Sequence, residues 1–155
     1  MSLHPDFHIS KMHELEQVCR SKGLPMTVQR RAIMESLAVR KDHPTADQVF
    51  ETVQARIPGV SRTTVYRVLE TFVQYGIVQK INSPLARARF DADTARHHHL
   101  RCTGCDVMVD LHDPSLDRLP LPTPVDNGFQ IHDYTISFTG RCPRCAGKVD
   151  NRRGV

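Results

Sequence analysis

The chain has no tryptophan, and aromatic residues make up only 6% of it. Its core must therefore be built mainly from aliphatic side chains. No apolar run approaches the roughly 18–20 residues of a membrane-spanning helix. The opening MSLHPDFHISKMHELE lacks the apolar stretch of a signal peptide. A cytoplasmic location is expected, and with it cysteines that bind metal in preference to forming disulfides. There is no internal repeat and no low-complexity tract. For a hydrolase built on a His/Asp site, no Glu or other base stands out at the spacing of a His-Glu-x-x-His arrangement, so an enzyme is not expected.

What is present suits a folded chain of 155 residues, one mid-sized domain or two small ones: 39% hydrophobic and 25% charged. The net charge is +4. It is unevenly spread. Residues 1–90 carry 13 Lys and Arg against 8 Asp and Glu, a charge of +5; residues 91–155 carry 8 against 9, a charge of −1. The basic half is the one to meet a polyanion.

Residues 11–22 read as a helix with Met12, Leu15 and Cys19 on one stripe, stopped by Gly23. Thr27 caps a second helix, TVQRRAIMESLAV, with Val28, Ile33, Leu37 and Ala38 inward. Thr45 or Asp47 caps a third, with Val49, Phe50, Val53 and Ile57, ended by Pro58-Gly59. Ser61 opens a fourth, SRTTVYRVLETFVQYG, with Val65, Val68, Leu69 and Phe72 inward and Gly76 at its C-terminus. IVQKI and ARARF then form two strands around the turn NSPL. Helices followed by a hairpin give a winged helix-turn-helix over residues 1–90. Residues 91–96, DADTAR, read as a hinge. Residues 97–155 form a second domain: HHHLRC and DVMVDL make a hairpin, a segment with Pro114, Pro120, Pro122 and Pro124 follows, and FQIHDYTISFTGRC alternates as a strand. The expected fold class is α/β in the mixed α+β sense.

Cysteines fall as Cys102-x-x-Cys105 and Cys142-x-x-Cys145, with Cys19 apart in the first helix. One such pair is weak evidence. Two in one small domain fit a closed, tetrahedral, structural Zn2+ site, which leaves no open position for chemistry. The ion would pin a domain with too little apolar mass to stand alone. His97 and His99 share one face of a strand, and Asp110 lies on the returning strand; Asp91 and Asp93 are also near in sequence. Such nitrogen and oxygen donors suit exchangeable Fe2+, Mn2+ or Zn2+. Ser61, Arg62, Thr63, Thr64, Tyr66 and Arg67 crowd the first turns of the fourth helix, where they can donate to phosphates and bases. Thr27, Gln29 and Arg30 at the start of the second helix, and Arg87 and Arg89 in the wing, can join them.

Together, Thr27-Val28-Gln29-Arg30, His43-Pro44-Thr45-Ala46, Ser61 to Arg67, Phe90-Asp91, His97-His98-His99 and the two cysteine pairs resemble the ferric uptake regulator (Fur) superfamily. The likeness runs from about residue 12 to 148. It implies a homodimeric, metal-responsive repressor whose winged helix binds double-stranded DNA with a palindromic operator, and whose second domain dimerises. It assigns zinc to Cys102, Cys105, Cys142 and Cys145. It assigns a regulatory Fe2+ or Mn2+ to His43, Asp91, His97, His99 and Asp110. Iron-uptake members usually have Glu at the two acid positions. The Asp pair is similar to the peroxide-responsive branch (PerR), in which a ligand histidine is oxidised, here His43 or His97.

Three positions depart from the family pattern. An accessory metal site uses histidines where this chain has Arg96 and Tyr134, which leaves His98 and Asp117 as poor ligands by themselves, with His132 nearby. Asp106 stands where a zinc knuckle usually has Gly, so a slightly altered knuckle is expected. Other readings stay open: an iron, zinc or manganese homeostasis regulator of the same fold, and, outside it, a zinc-ribbon-like protein-interaction module or a hydrolase at the His/Asp site.

Overall fold

The computed structural model describes residues 5–83, 86–122 and 128–147. The chain divides into two compact units, Met1–Thr94 and Ala95–Val155. No helix among the described residues is long and apolar enough to cross a membrane.

The first unit contains α1 (Pro5–Ser21), α2 (Val28–Ala38), α3 (Ala46–Arg56), α4 (Arg62–Gln74), β1 (Gln79–Ser83) and β2 (Ala86–Asp91). Local signals set its boundaries. The hydroxyls of Thr27, Thr45 and Ser61 accept from the backbone N–H groups of Arg30, Gln48 and Thr64, capping α2, α3 and α4. Thr45 takes the cap of α3, and the Gln48 side chain returns a bond to its backbone, a full capping box. Gly76, at φ +71°, turns the chain out of α4: Gly76 N–H bonds Val73 O and Ile77 N–H bonds Phe72 O. α1 begins six residues before the expected start at Lys11. Pro5 sits at the first helical position, where its missing N–H costs nothing, and Phe7 packs against the core.

That core is aliphatic. Leu15 and Cys19 of α1, Ile33, Met34 and Leu37 of α2, Val49 and Val53 of α3, and Val65, Leu69 and Phe72 of α4 meet in it, closed by Ile77, Val78 and Phe90. Val28, expected to face inward, is 70% exposed. It lies five residues before Ile33, about 140° round the helix from it. Strands β1 and β2 pair antiparallel, with Lys80 opposite Phe90 and Ile81 opposite Arg89. The expected turn residues Pro84 and Leu85 lie outside the described residues, as does Pro124. β2 runs on to Asp91, the first residue of the expected hinge.

The second unit contains β3 (His98–Cys102), β4 (Met108–Leu111), a 3-10 turn (Leu116–Arg118), β5 (Ser137–Gly140) and α5 (Pro143–Ala146). β3 is central, antiparallel to β4 and parallel to β5. Only the end of the alternating segment 129–142 is strand. A strand needs a partner for its backbone groups, and β3 offers five residues; the ladder ends where His99 N–H bonds Ile136 O. Among the described residues of this unit, the buried apolar side chains are Cys102 and Met108. Leu100 faces Val109 across one ladder and Phe138 across the other, and all three are more than a third exposed. A small sheet with so little core needs another source of stability.

Candidate metal centres and DNA-reading surface

The four predicted zinc cysteines converge within the second unit. Their sulfurs all lie within 4.8 Å of one another, and Cys105 Sγ is 3.6 Å from Cys142 Sγ. Four sulfurs about 2.3 Å from a tetrahedral zinc stand about 3.8 Å apart, so the donor set fits that ion. None forms a disulfide. Cys102 and Cys105 flank the turn between β3 and β4; Cys142 and Cys145 sit at the start and third turn position of α5. Backbone N–H groups of Gly104 and Cys142 point at Cys102 Sγ, each at 3.3 Å, and support a thiolate there. The Cys142 amide is the main reason that the Cys102 thiol is lowered to about 6. Hydrogen bonds with the thiols of Cys142 and Cys105 push Cys145 up to about 12. Such crowding opposes full ionisation until a dication enters. A Cβ at Gly104 would stand 2.9 Å from Cys145 Cβ and Sγ, so glycine is required in that knuckle. Asp106 does adopt the left-handed backbone, at φ +61°, and its carboxylate pairs with Arg101.

Each unit also carries a histidine against an aspartate. In the first, His43 Nδ1 is 3.6 Å from Asp91 Oδ1, and both residues are buried. The loop that presents His43 is tied to β2. Arg89 donates to the carbonyls of Asp42 and His43, and Phe90 N–H to that of Pro44. His43 itself is held at φ +45°, an uncommon conformation for a side chain followed by proline. Backbone strain of this kind persists where surrounding bonds enforce it, and it concentrates at functional positions.

In the second unit, His97, His99 and Asp110 come together. The rings of His97 and His99 are 4.7 Å apart between centroids, and His99 faces Asp110 across the β3–β4 ladder. His97 Nδ1 is 2.8 Å from the Ala95 carbonyl. A carbonyl only accepts, so Nδ1 carries the proton, and the other nitrogen, Nε2, is 3.3 Å from Asp110 Oδ1. A backbone bond that fixes the tautomer this way is the usual support of a metal-binding imidazole. His112, which no sequence motif singled out, lies beside His97 with 5.7 Å between ring centroids. Its position two residues beyond Asp110, on the same side of an extended chain, was the available signal.

The accessory position does not fit a cation. Ile136 N–H donates to His98 Nδ1 at 3.4 Å, so Nε2 carries the proton and donates to Asp117 Oδ1 at 3.1 Å. Both ring nitrogens are committed. The Arg96 guanidinium lies 4.7 Å over the Tyr134 ring and bonds the Asp117 carbonyl and the Asp133 carboxylate. Tyr134 Oη donates to Leu116 O and accepts from Leu119 N–H. An organic cation and a phenol thus cross-link the segments around β3.

On the first unit, Ser61, Arg62, Thr63, Tyr66 and Arg67 are exposed on α4, with Thr64 partly so. Val65 and Leu69 of the same helix are buried in the core. Thr27, Gln29 and Arg30 are part-exposed at the start of α2, and Arg30 is bonded to the Pro25 carbonyl. Arg67 forms no ion pair among the described residues. Arg62 and Arg87 both pair with Asp47, and Lys80 pairs with Glu70 at 2.5 Å. The sequence points to Asp47 only as a candidate cap of α3 and to Glu70 not at all, because their partners lie 15, 40 and 10 positions away.

The model of the ferric uptake regulator family matches residues 21–139. The peroxide operon regulator of Bacillus subtilis (strain 168) is 33% identical over 142 residues, spanning 90% of this chain and 98% of that one. The ferric uptake regulator of Helicobacter pylori, described with three functional metal-binding sites, shares the fold: TM-score 0.74, 16% identity, 97% of this chain and 99% of that chain. An iron-containing ferric uptake regulator from Francisella tularensis aligns with TM-score 0.67 at 25% identity, over 80% and 96% of the two chains. The chain belongs to the ferric uptake regulator family, whose members are metal-responsive transcriptional regulators.

Proposed function

We propose that this protein is a DNA-binding repressor that works as a homodimer and that hydrogen peroxide disables. Cys102, Cys105, Cys142 and Cys145 hold a structural zinc in this reading. The halves carried by the two units, His43 with Asp91 and His97 with His99 and Asp110, share one regulatory Fe2+ or Mn2+. An ion bound by both halves favours one arrangement of the units, the one that reads a palindromic operator. Thr27, Gln29, Arg30, Ser61, Arg62, Thr63, Thr64, Tyr66 and Arg67 form the DNA-reading set, with phosphate favoured at the start of α4.

The observation that carries the peroxide reading is the aspartate beside the histidine in each unit. The donors are all nitrogen and carboxylate oxygen, suited to Fe2+ and Mn2+ and without a thiolate. Likeness to the Bacillus subtilis peroxide regulator supports it. Fe2+ held by these residues would lend the electron that opens the peroxide O–O bond and recover it from the ring, a chemistry that Mn2+ in the same donors would not supply. In the net change, one peroxide oxygen replaces hydrogen on a ring carbon of His43 or His97, and the other oxygen leaves as water. The ring loses two electrons and peroxide gains them. The altered imidazole is a poorer ligand, the halves separate and DNA is released.

Anaerobic Fe2+-loaded and Mn2+-loaded samples treated with peroxide test this. The iron form is expected to gain about 16 Da, one oxygen, on a peptide carrying His43 or His97; methionine gains the same mass, so peptide mapping is essential. An unchanged His43 and His97 in the iron form would leave a regulator of metal supply.

A further inference from the structure

Asp47 lies in the first turn of α3 and faces a cleft that it lines with Tyr66, Glu70, Lys80 and Arg87. One carboxylate oxygen takes Arg62, at the first position of α4; the other takes Arg87 of β2 at 2.6 Å. Arg62 is further held by the Phe50 ring, 4.5 Å beneath its guanidinium. The arginine side chains are 56% and 76% exposed, the aspartate 26%. A single acid therefore joins the third helix, the proposed reading helix and the wing. It also halves the positive charge that two prominent arginines present.

We propose that Asp47 governs DNA discrimination, holding Arg62 and Arg87 in fixed positions and restraining their attraction to phosphate of any sequence. The proposal rests on the DNA-reading surface assigned above. Non-specific binding is almost wholly phosphate electrostatics. Exposed ion pairs are weak, so these yield where a correct sequence offers further contacts. On other DNA the carboxylate repels nearby phosphates and keeps two cations partly neutralised. Asp47 is thus a positioning and specificity-determining residue. Glu70, which holds Lys80 alone, restrains the wing from its other strand.

The test uses the full-length manganese-loaded protein and two duplexes: one enriched from a random pool by the parent, and a scrambled duplex of the same composition. Asp47→Asn is expected to tighten binding to the scrambled duplex about three- to tenfold near 0.1 M salt, and to steepen the log affinity against log salt slope by about one. Binding to the enriched duplex tightens less, so the ratio of affinities falls by at least about threefold. Asp47→Glu keeps the parent's slope and ratio. Arg87→Gln lowers the slope more in the Asp47→Asn background than in the parent, a coupling that a folding defect does not produce. Parental slope and ratio in Asp47→Asn, or additive behaviour of the two substitutions, overturns the proposal. Failure of the parent to enrich any sequence overturns the DNA-reading assignment itself.

Discussion

His97 Nε2 stands 3.3 Å from Asp110 Oδ1, while Nδ1 is held by the Ala95 carbonyl at 2.8 Å. With the Nδ1 proton held by the Ala95 carbonyl, Nε2 faces the carboxylate oxygen, a contact made favourable by a proton or a cation between them. The short side chain of Asp110 leaves little slack there. Asp110→Glu extends the carboxylate by one methylene and is expected to keep metal-dependent DNA binding but blunt the peroxide response by tenfold or so, roughly 1.4 kcal/mol in the activation barrier. The check is the peroxide dose that releases half of the DNA from each iron-loaded protein. An unchanged dose would remove the aspartate pair from the account of peroxide sensing.

Among the described residues of the second unit, the buried apolar side chains are Cys102 and Met108. Its fold is therefore expected to depend on zinc. Cys102→Ser should lose zinc and dimerisation together, since metal binding and folding are one equilibrium in such domains. Metal analysis alongside sedimentation measures both. A folded, dimeric, zinc-free variant would contradict the scaffold role.

His98 spends one nitrogen on Ile136 and the other on Asp117, with Arg96 stacked on Tyr134 alongside. The parent should bind no ion there. The double substitution Arg96→His and Tyr134→His removes the organic cation and supplies imidazoles, and should bind one more equivalent of zinc per chain than the parent. Equal stoichiometry in the two proteins, with His98 ligating in both, would show that the cluster opens to admit a metal.

Tyr66 and Arg67 are exposed on α4, whereas Val65 and Leu69 of the same helix are buried. Replacing either with alanine should weaken operator binding by about 1–3 kcal/mol without unfolding the protein. Loss of Arg67 should also reduce the salt slope by about one if it meets phosphate. Titration of labelled duplex, with melting temperature measured in parallel, decides this. Normal binding by both variants would move recognition to another surface.

Where one short segment carries its own signal, sequence and structure agree. Thr27, Thr45 and Ser61 each precede an apolar period and each caps its helix. The paired cysteine spacings place four sulfurs together because a tight turn brings each pair to one side. Extents depending on a neighbour were not legible. Segment 129–142 alternates at Phe129/Ile131 and again at Ile136/Phe138, yet only Ser137–Gly140 finds a strand to pair with. The link from Asp47 to Arg87 spans 40 positions and exists only after the wing folds against α3. The commitment of His98 to Asp117 was hidden for the same reason: a residue type announces capability, and its hydrogen-bond partners decide use.

The most direct measurement is binding to the enriched duplex by Fe2+-loaded and Mn2+-loaded protein before and after brief anaerobic peroxide treatment, with peptide masses recorded on the same samples. The account predicts release from DNA in the iron form alone, in proportion to oxygen gained on His43 or His97. Retained binding in the iron form, or equal release in both forms without modified histidine, would contradict it.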